Sequence, residues 1–507
     1  MVLMLQPTIV HAQEQIAPAE ALARVRQAVG YEALRKLSGD VLIEGQSQYL
    51  GIPGNYQLQF SPRGGCVVTI EARGRHQDGF DGKTVWERVF SGLAHELDFG
   101  EAETQQAFLS IRSYSWLAEE SPFQLMPGKG GQKPGEIAFQ LLSKTGLVPT
   151  EIVLDRTTWL PVRASRSWVF GTLTWEFSDY VEHLGVKWPS RSRFLRGNEA
   201  NQFDSKQVTL VPKQEAAFYR MPVEPSHVRW EASLPSRVEL KRTASGHLFV
   251  KPRINGKDVG WFAFDTGTGS GMCISQKAAD ALKLPAFGKA LAGGAGKQSE
   301  VRFREADSLQ LGAATTKQLV MMEMPSEFTD AMSSLFGFDW GGTVGHDFIS
   351  QVVAEFDLTN VTLDLFNPAK YELKNGAWLP LRLNHGIPCL KCKVEDQHEG
   401  WFQFDTGAGV VAIVHSPAVE KLDLLKGRTT QHQPLQGVGG SIDAERGKMQ
   451  RFAVGDRSLK DVLTFFVTGK QGALADPYVM GTFGTGILGG GKVVFDYGHK
   501  RMGMVSE

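Results

Sequence analysis

One phrase is written twice in the chain, as Trp261-Phe-Ala-Phe-Asp265-Thr-Gly267 and again as Trp401-Phe-Gln-Phe-Asp405-Thr-Gly407, 140 positions apart. Each aspartate follows an alternating aromatic run, which predicts a strand, and precedes Thr-Gly, where glycine permits a sharp turn. The duplication predicts two similar lobes, each presenting one carboxyl at a strand end. If a pseudo-twofold axis brings the carboxyls together, they cannot both ionise cheaply. They then share a proton, one serving as acid and the other as base.

Further matches follow in order. Thr343-Val-Gly345 ends 80 residues after Asp265 and Ile487-Leu-Gly489 ends 84 after Asp405, so Gly345 and Gly489 are the expected supporting glycines. Strands with related endings come next, Ala354-Glu-Phe-Asp357-Leu and Val493-Val-Phe-Asp496-Tyr. Between these anchors each half has a glycine-rich segment, with Gly293, Gly294 and Gly296 in one and Gly437, Gly439 and Gly440 in the other. Both predict mobile hairpins able to cover a substrate. A short helix is expected after each aspartate loop, capped by Ser275 in the first half and by Ser416, with Pro417 at its first position, in the second.

On these motifs, the segment from about Val250 to Glu507 resembles the bacterial retropepsin-like and pepsin-like aspartyl proteases. The resemblance implies an aspartic-type endopeptidase, a hydrolase of proteolysis acting on a peptide or protein substrate without cofactor. It implies Asp265 and Asp405 as the catalytic pair, on active-site loops made by Thr266, Gly267 and Thr268 and by Thr406, Gly407 and Ala408. Only Thr268 offers a supporting hydroxyl, since Ala408 stands at the equivalent place. The flap segments lack the tyrosine of pepsin-like enzymes and are closer to the retroviral glycine pattern. Two other readings stay open. The aspartates are turn residues capping their own loops, or the fold is a catalytically silent module that binds peptide or lipid in the cell envelope.

The predicted architecture is mainly β with short helices. It comprises a signal-peptide remnant (1–12), a β-rich half-barrel-like domain (13–210), a proline-bearing linker (211–235) and two protease-like lobes (236–375 and 376–507) packed as an intrachain pseudo-dimer in a monomer. In the first domain a helix is expected over Ala19–Leu37, and strands over Gly39–Phe60, Cys66–Ala72 and from Leu97 onward. The phrases Gly79-Phe-Asp-Gly-Lys-Thr-Val-Trp86 and Trp175-Glu-Phe-Ser-Asp-Tyr180 resemble exported bacterial domains related to lipoprotein carriers. Trp86, Trp116, Trp168 and Trp175 are read as core residues. Val10-His-Ala12 resembles a signal-peptidase site, which predicts export to the periplasm or the exterior.

The 507 residues carry 54 basic and 55 acidic side chains, a net charge of -1 that gives no field favouring nucleic acid. No run reaches the roughly 18 apolar residues of a membrane span. Cys389-Leu-Lys-Cys392 has a metal half-site spacing but lies in an alternating run without a second pair, and His95-Glu96 lacks a second histidine, so no metal is expected. Gly484-Thr-Gly486-Ile-Leu-Gly489 matches the dinucleotide fingerprint by letters alone, because a strand rather than a helix follows it.

Overall fold

A computed structural model of the chain describes residues 16–128, 133–144, 146–269, 271–409, 412–488 and 490–505. The proposed signal segment and Gly489 lie outside the described residues. The protein is mainly β with short helices, as the alternating runs require.

The first half is a half-barrel built on a 13-stranded sheet among the described residues. Its hinge is the strand Asp40–Tyr49, which pairs with Ile52–Phe60 on one side and with Glu199–Val211 on the other. From there each arm runs outward as a meander. Two helices, α1 (Pro18–Val29) and α2 (Tyr31–Arg35), replace the single helix expected. Gly30 adopts a φ of 79° and packs so tightly on the Gly185 backbone that a side chain has no room, which ends the first helix there.

A third helix, α3 (Phe99–Arg112), occupies the place predicted for a strand from Leu97 onward. Its buried residues, Ala107, Phe108 and Ile111 among them, recur at helical spacing and meet the concave sheet. Trp86, Trp116 and Trp175 are buried, whereas Trp168 is half-buried at a hairpin tip beside Phe170. The segment after Val211 lies against both halves. Tyr219 is buried and donates to Asp40 Oδ2 at 2.6 Å, while Val228–Trp230 pairs with Ala314–Thr316 of the first protease-like lobe.

The two lobes repeat one strand order. Trp261–Phe264 runs parallel to Trp340–Val344, which is antiparallel to Cys273–Ser275, which is parallel to Ala314–Met324. In the second lobe the same succession is His398–Phe404, Gly481–Phe483, Ala412–Val414 and Arg457–Val467. The strands with related endings meet between the lobes, where Ala354 pairs with Phe495 and Phe356 with Val493. This pairing is the heart of a six-stranded sheet with strands from both lobes.

Phe262, Phe264, Phe402 and Phe404 point into one core shared by the lobes, each removing about 1.5–3 kcal/mol of apolar surface from water. The intervening residues of the first run, Trp261 and Ala263, join a separate cluster, as alternation demands. Cys389 and Cys392 obey the same rule. They are buried in different clusters, and burial holds both thiols well above the usual range.

Of the two predicted serine caps, Ser275 accepts from the Ala278 amide at 3.2 Å. The other helix, Ser416–Lys421, begins one residue early: His415 holds the cap position and Ser416 is inside the helix. Among the described residues no helix is long and apolar enough to cross a membrane.

Candidate active site

Asp265 and Asp405 sit where the aromatic strands end, and each is fixed by the strand beside it. The Asp265 amide donates to Val344 O at 3.0 Å and the Asp405 amide to Phe483 O at 3.0 Å. Each carboxylate then accepts from its own loop, from Gly267 N at 2.9 Å and from Gly407 N at 2.7 Å.

The threonines lock the two loops together. Thr266 N donates to Thr406 Oγ1 at 3.0 Å and Thr406 N to Thr266 Oγ1 at 3.0 Å. Each hydroxyl passes its own proton across the dyad, Thr266 to Phe404 O at 2.7 Å and Thr406 to Phe264 O at 2.6 Å. Both threonines are buried, so all four bonds form away from water.

The glycines are required by close approach. A Cβ on Gly267 would strike the Asp405 carboxylate, and one on Gly407 would lie 2.8 Å from Asp265 Oδ1 and 3.0 Å from Asp405 Oδ1. The carboxyls therefore converge on one another. Burial, then the Asp265 carboxylate and a hydrogen bond to it, hold Asp405 well above the usual carboxyl range, against the Gly407 and Ala408 amides that pull it down. Thr268 Oγ1 donates to Asp265 Oδ2 at 2.9 Å, and Ala408 offers nothing equivalent.

Gly345 abuts the carbonyls of Thr268 and Gly271, leaving no space for a side chain. Its counterpart is not in the Ile487-Leu-Gly489 phrase. Because Phe483 serves Asp405 as Val344 serves Asp265, the equivalent glycine is Gly484, packed on the Gly409 carbonyl. Thr343-Val-Gly345 thus matches Thr482-Phe-Gly484, a likeness hidden in the sequence by the denser glycine run that follows.

The flap segments form hairpins that meet at their tips. Strands Ala286–Gly293 and Gln298–Leu311 carry the first and Leu435–Gly437 and Gly440–Ile442 the second. Gly296 N donates to Val438 O at 3.2 Å and Lys297 N to Gly439 O at 2.8 Å. Gly294 lies against Val438 and Gly437 against Ala295. Ala295 joins an apolar cluster of the second lobe and Val438 one of the first, so each tip rests on the opposite lobe.

The sequence did not reveal the first half's share in these surroundings. Its hairpin tips touch the first flap: Lys289 N donates to Leu50 O at 2.9 Å, Leu291 N to Glu199 Oε2 at 3.3 Å, and the Phe170 ring covers Gly293. His247 was missed as well. Its ring lies beside the Gly409 end of the second loop, and burial holds it below the usual histidine range.

One group of metal-ligand type occurs among the described residues, His76, Asp78 and Glu87, with donor atoms within 4.8 Å of one another. Imidazoles already face both carboxylates, His76 Nε2 at 3.4 Å from Asp78 Oδ1 and His95 Nε2 at 3.1 Å from Glu87 Oε1. The group lies in the half-barrel and does not include either aspartate of the candidate site.

Two lobes of one topology thus each deliver an aspartate to a shared centre. Residues 250–340 and 390–490 match the model of the aspartyl protease family. The chain is also similar to the crystal structure of a LolA superfamily protein from Nitrosomonas europaea, with 12% identity over 40% of this chain and 98% of that one and a TM-score of 0.30. A DUF1329 family protein from Desulfovibrio piger is similar at 12% identity over 40% of this chain and 98% of that one, with a TM-score of 0.26. No curated protein matches the chain.

Proposed function

We propose that the protein is an aspartic endopeptidase in which Asp265 and Asp405 activate a water molecule against a peptide carbonyl. The observation that carries this reading is the convergence of the two carboxyls on loops interlocked through Thr266 and Thr406. The pair holds one proton. Thr268 stabilises charge on Asp265, whereas burial and the neighbouring carboxylate keep the proton on Asp405. Asp265 takes the proton of the water as it attacks, and Asp405 donates to the developing oxyanion. The Gly267 and Gly407 amides hold both carboxylates in place during the exchange, and no covalent enzyme intermediate is formed.

The substrate enters as an extended chain beneath the flaps, where backbone hydrogen bonds add it as a strand and alternate side chains read the pockets. Because the flap tips bond to one another, entry requires them to part. The lobes act as an intrachain pseudo-dimer, so one chain suffices for one site. The Val10-His-Ala12 motif supports a periplasmic or extracellular location.

The test is hydrolysis of a peptide library by the purified wild type, Asp265→Asn and Asp405→Asn. Each variant is expected to lose roughly 10²–10⁴-fold or more of kcat while keeping its fold, because an amide neither accepts the water proton nor shares one. Peptide binding without turnover by the wild type would favour the silent binding module instead.

A further inference from the structure

Each aspartate loop is backed by a turn from the other lobe. Gly409, after the Asp405 loop, packs on the Ser245 carbonyl, and Thr485 Oγ1 donates to Gly246 O at 3.3 Å. Gly269, after the Asp265 loop, packs on the His385 carbonyl, and His346 Nδ1 lies 3.0 Å from Gly386 O. A Cβ fits at neither Gly269 nor Gly386, so turn and loop touch backbone to backbone.

The two turns differ in what holds them. Around Gly246 the support is local: Ser245 Oγ meets His247 Nδ1 at 2.8 Å, and the Thr243 hydroxyl accepts from His247 N at 3.1 Å. The second turn, between strands Arg382–Asn384 and Ile387–Val394, has φ of 52° at His385 and 71° at Gly386. Histidine is among the side chains that tolerate such a φ, and the glycine after it takes the second.

The support of this turn comes from α3 of the half-barrel. Glu101 accepts from His385 N at 2.8 Å and faces His385 Nδ1 at 2.6 Å. One turn earlier Asp98, at the cap position of α3, leaves its own helix unbonded and instead accepts from Leu383 N at 3.2 Å and from Arg382 at 3.1 Å.

We propose that Glu101 is a positioning residue for the candidate active site, holding the His385-Gly386 turn against Gly269 so that the half-barrel sets the geometry of the Asp265 loop. The half-barrel is then part of the catalytic apparatus rather than an appended module. This inference rests on the peptidase reading for its effect on rate, but the contact itself can be read without turnover. Burial would lower the His385 imidazole, and Glu101 nonetheless raises it to about 9, while His385 holds Glu101 below the usual carboxyl range against its own burial, so the two are charged together at neutral pH.

The test compares Glu101→Ala and Glu101→Gln with the wild type, all as full chains, by steady-state kinetics and amide hydrogen exchange. In Glu101→Ala, kcat is expected to fall about ten- to a hundredfold with KM nearly unchanged, the response to a slightly displaced catalytic group. Exchange is expected to quicken more at 266–269 than at 406–409, a loop reached only through the Thr266–Thr406 bonds and backed by a locally held turn. Glu101→Gln keeps an acceptor for the His385 amide and should recover most of the rate. Unchanged kcat with unchanged exchange at 266–269 would overturn the proposal, as would faster exchange spread evenly over both loops. If the wild type hydrolyses no peptide, the peptidase reading fails, and the exchange at 266–269 still decides whether Glu101 holds the loop.

Discussion

Thr268 on one loop and Ala408 on the other make the two halves of a symmetric site chemically unequal. The Thr268 hydroxyl favours charge on Asp265, and among the described residues the Gly407 and Ala408 amides do so for Asp405, which burial and its neighbour push upward. The rate should therefore trace a bell. It falls at low pH as the pair takes up a second proton, and falls again as pH rises through the elevated value of Asp405 and the shared proton leaves. A kcat/KM profile that climbed steadily into the alkaline range would contradict this. The threonine lock gives a second outcome. Thr406→Val keeps the side-chain shape but strands the buried Thr266 amide and removes the donor to Phe264 O, so it should cost about 1–3 kcal/mol per unpaired group. Thermal unfolding of the variant measures that loss, and kcat should fall with it.

At the level of elements, the flaps are hairpins held at two ends. Their tips bond to one another, and the first is gripped from outside by strand turns of the half-barrel, with Phe170 over Gly293 and Leu50 O on Lys289 N. Covering about 20–60 Å² of apolar surface with the ring is worth roughly 0.5–1.5 kcal/mol at about 25 cal/mol per Å², about a two- to tenfold change in an opening equilibrium. Phe170→Ala should accordingly speed amide exchange over Ala286–Gly293 by that factor and leave Leu435–Gly437 as it was. Equal rates in variant and wild type would show that the half-barrel does not restrain the flap. The same hairpin tip explains Trp168: with Phe170 engaged on another domain, its neighbour is left half-buried instead of entering the core.

Across the whole molecule, the halves are joined by a seam of paired charges. Asp98 meets Arg382, Glu101 meets His385, and Lys500 lies 2.7 Å from Glu96. His385 titrates near 9, above its ordinary value of about 6.5, so its contribution is complete below that ordinary value and is lost as pH rises through about 9. The thermal midpoint of the full chain should decline over that window, and His385→Gln should flatten the decline. His346 acts on the other side. Burial lowers it to about 3, so the unfolded chain binds its proton first and stability drops as pH falls below the ordinary histidine value.

The sequence alone determined what local chemistry and duplication encode. Alternation placed the phenylalanines of both aspartate strands in the core, and the repeated Asp-Thr-Gly identified two carboxyls needing one another, because strand period and turn preference act over a few residues. It also placed Cys389 and Cys392 on opposite faces. Where two signals competed it misled: the dense glycines after Thr485 drew the second supporting motif away from Gly484, and the start of α3 was read as a strand because its buried residues follow a short alternating run. Only the tertiary structure decided which distant groups meet. That Thr266 exchanges bonds with Thr406, that the flap tips cross to opposite lobes, and that Glu101 reaches the turn behind Gly269 depend on chain segments 140 to 284 residues apart being packed together. Such contacts are selected by the burial and pairing of whole surfaces, which no short stretch of sequence carries.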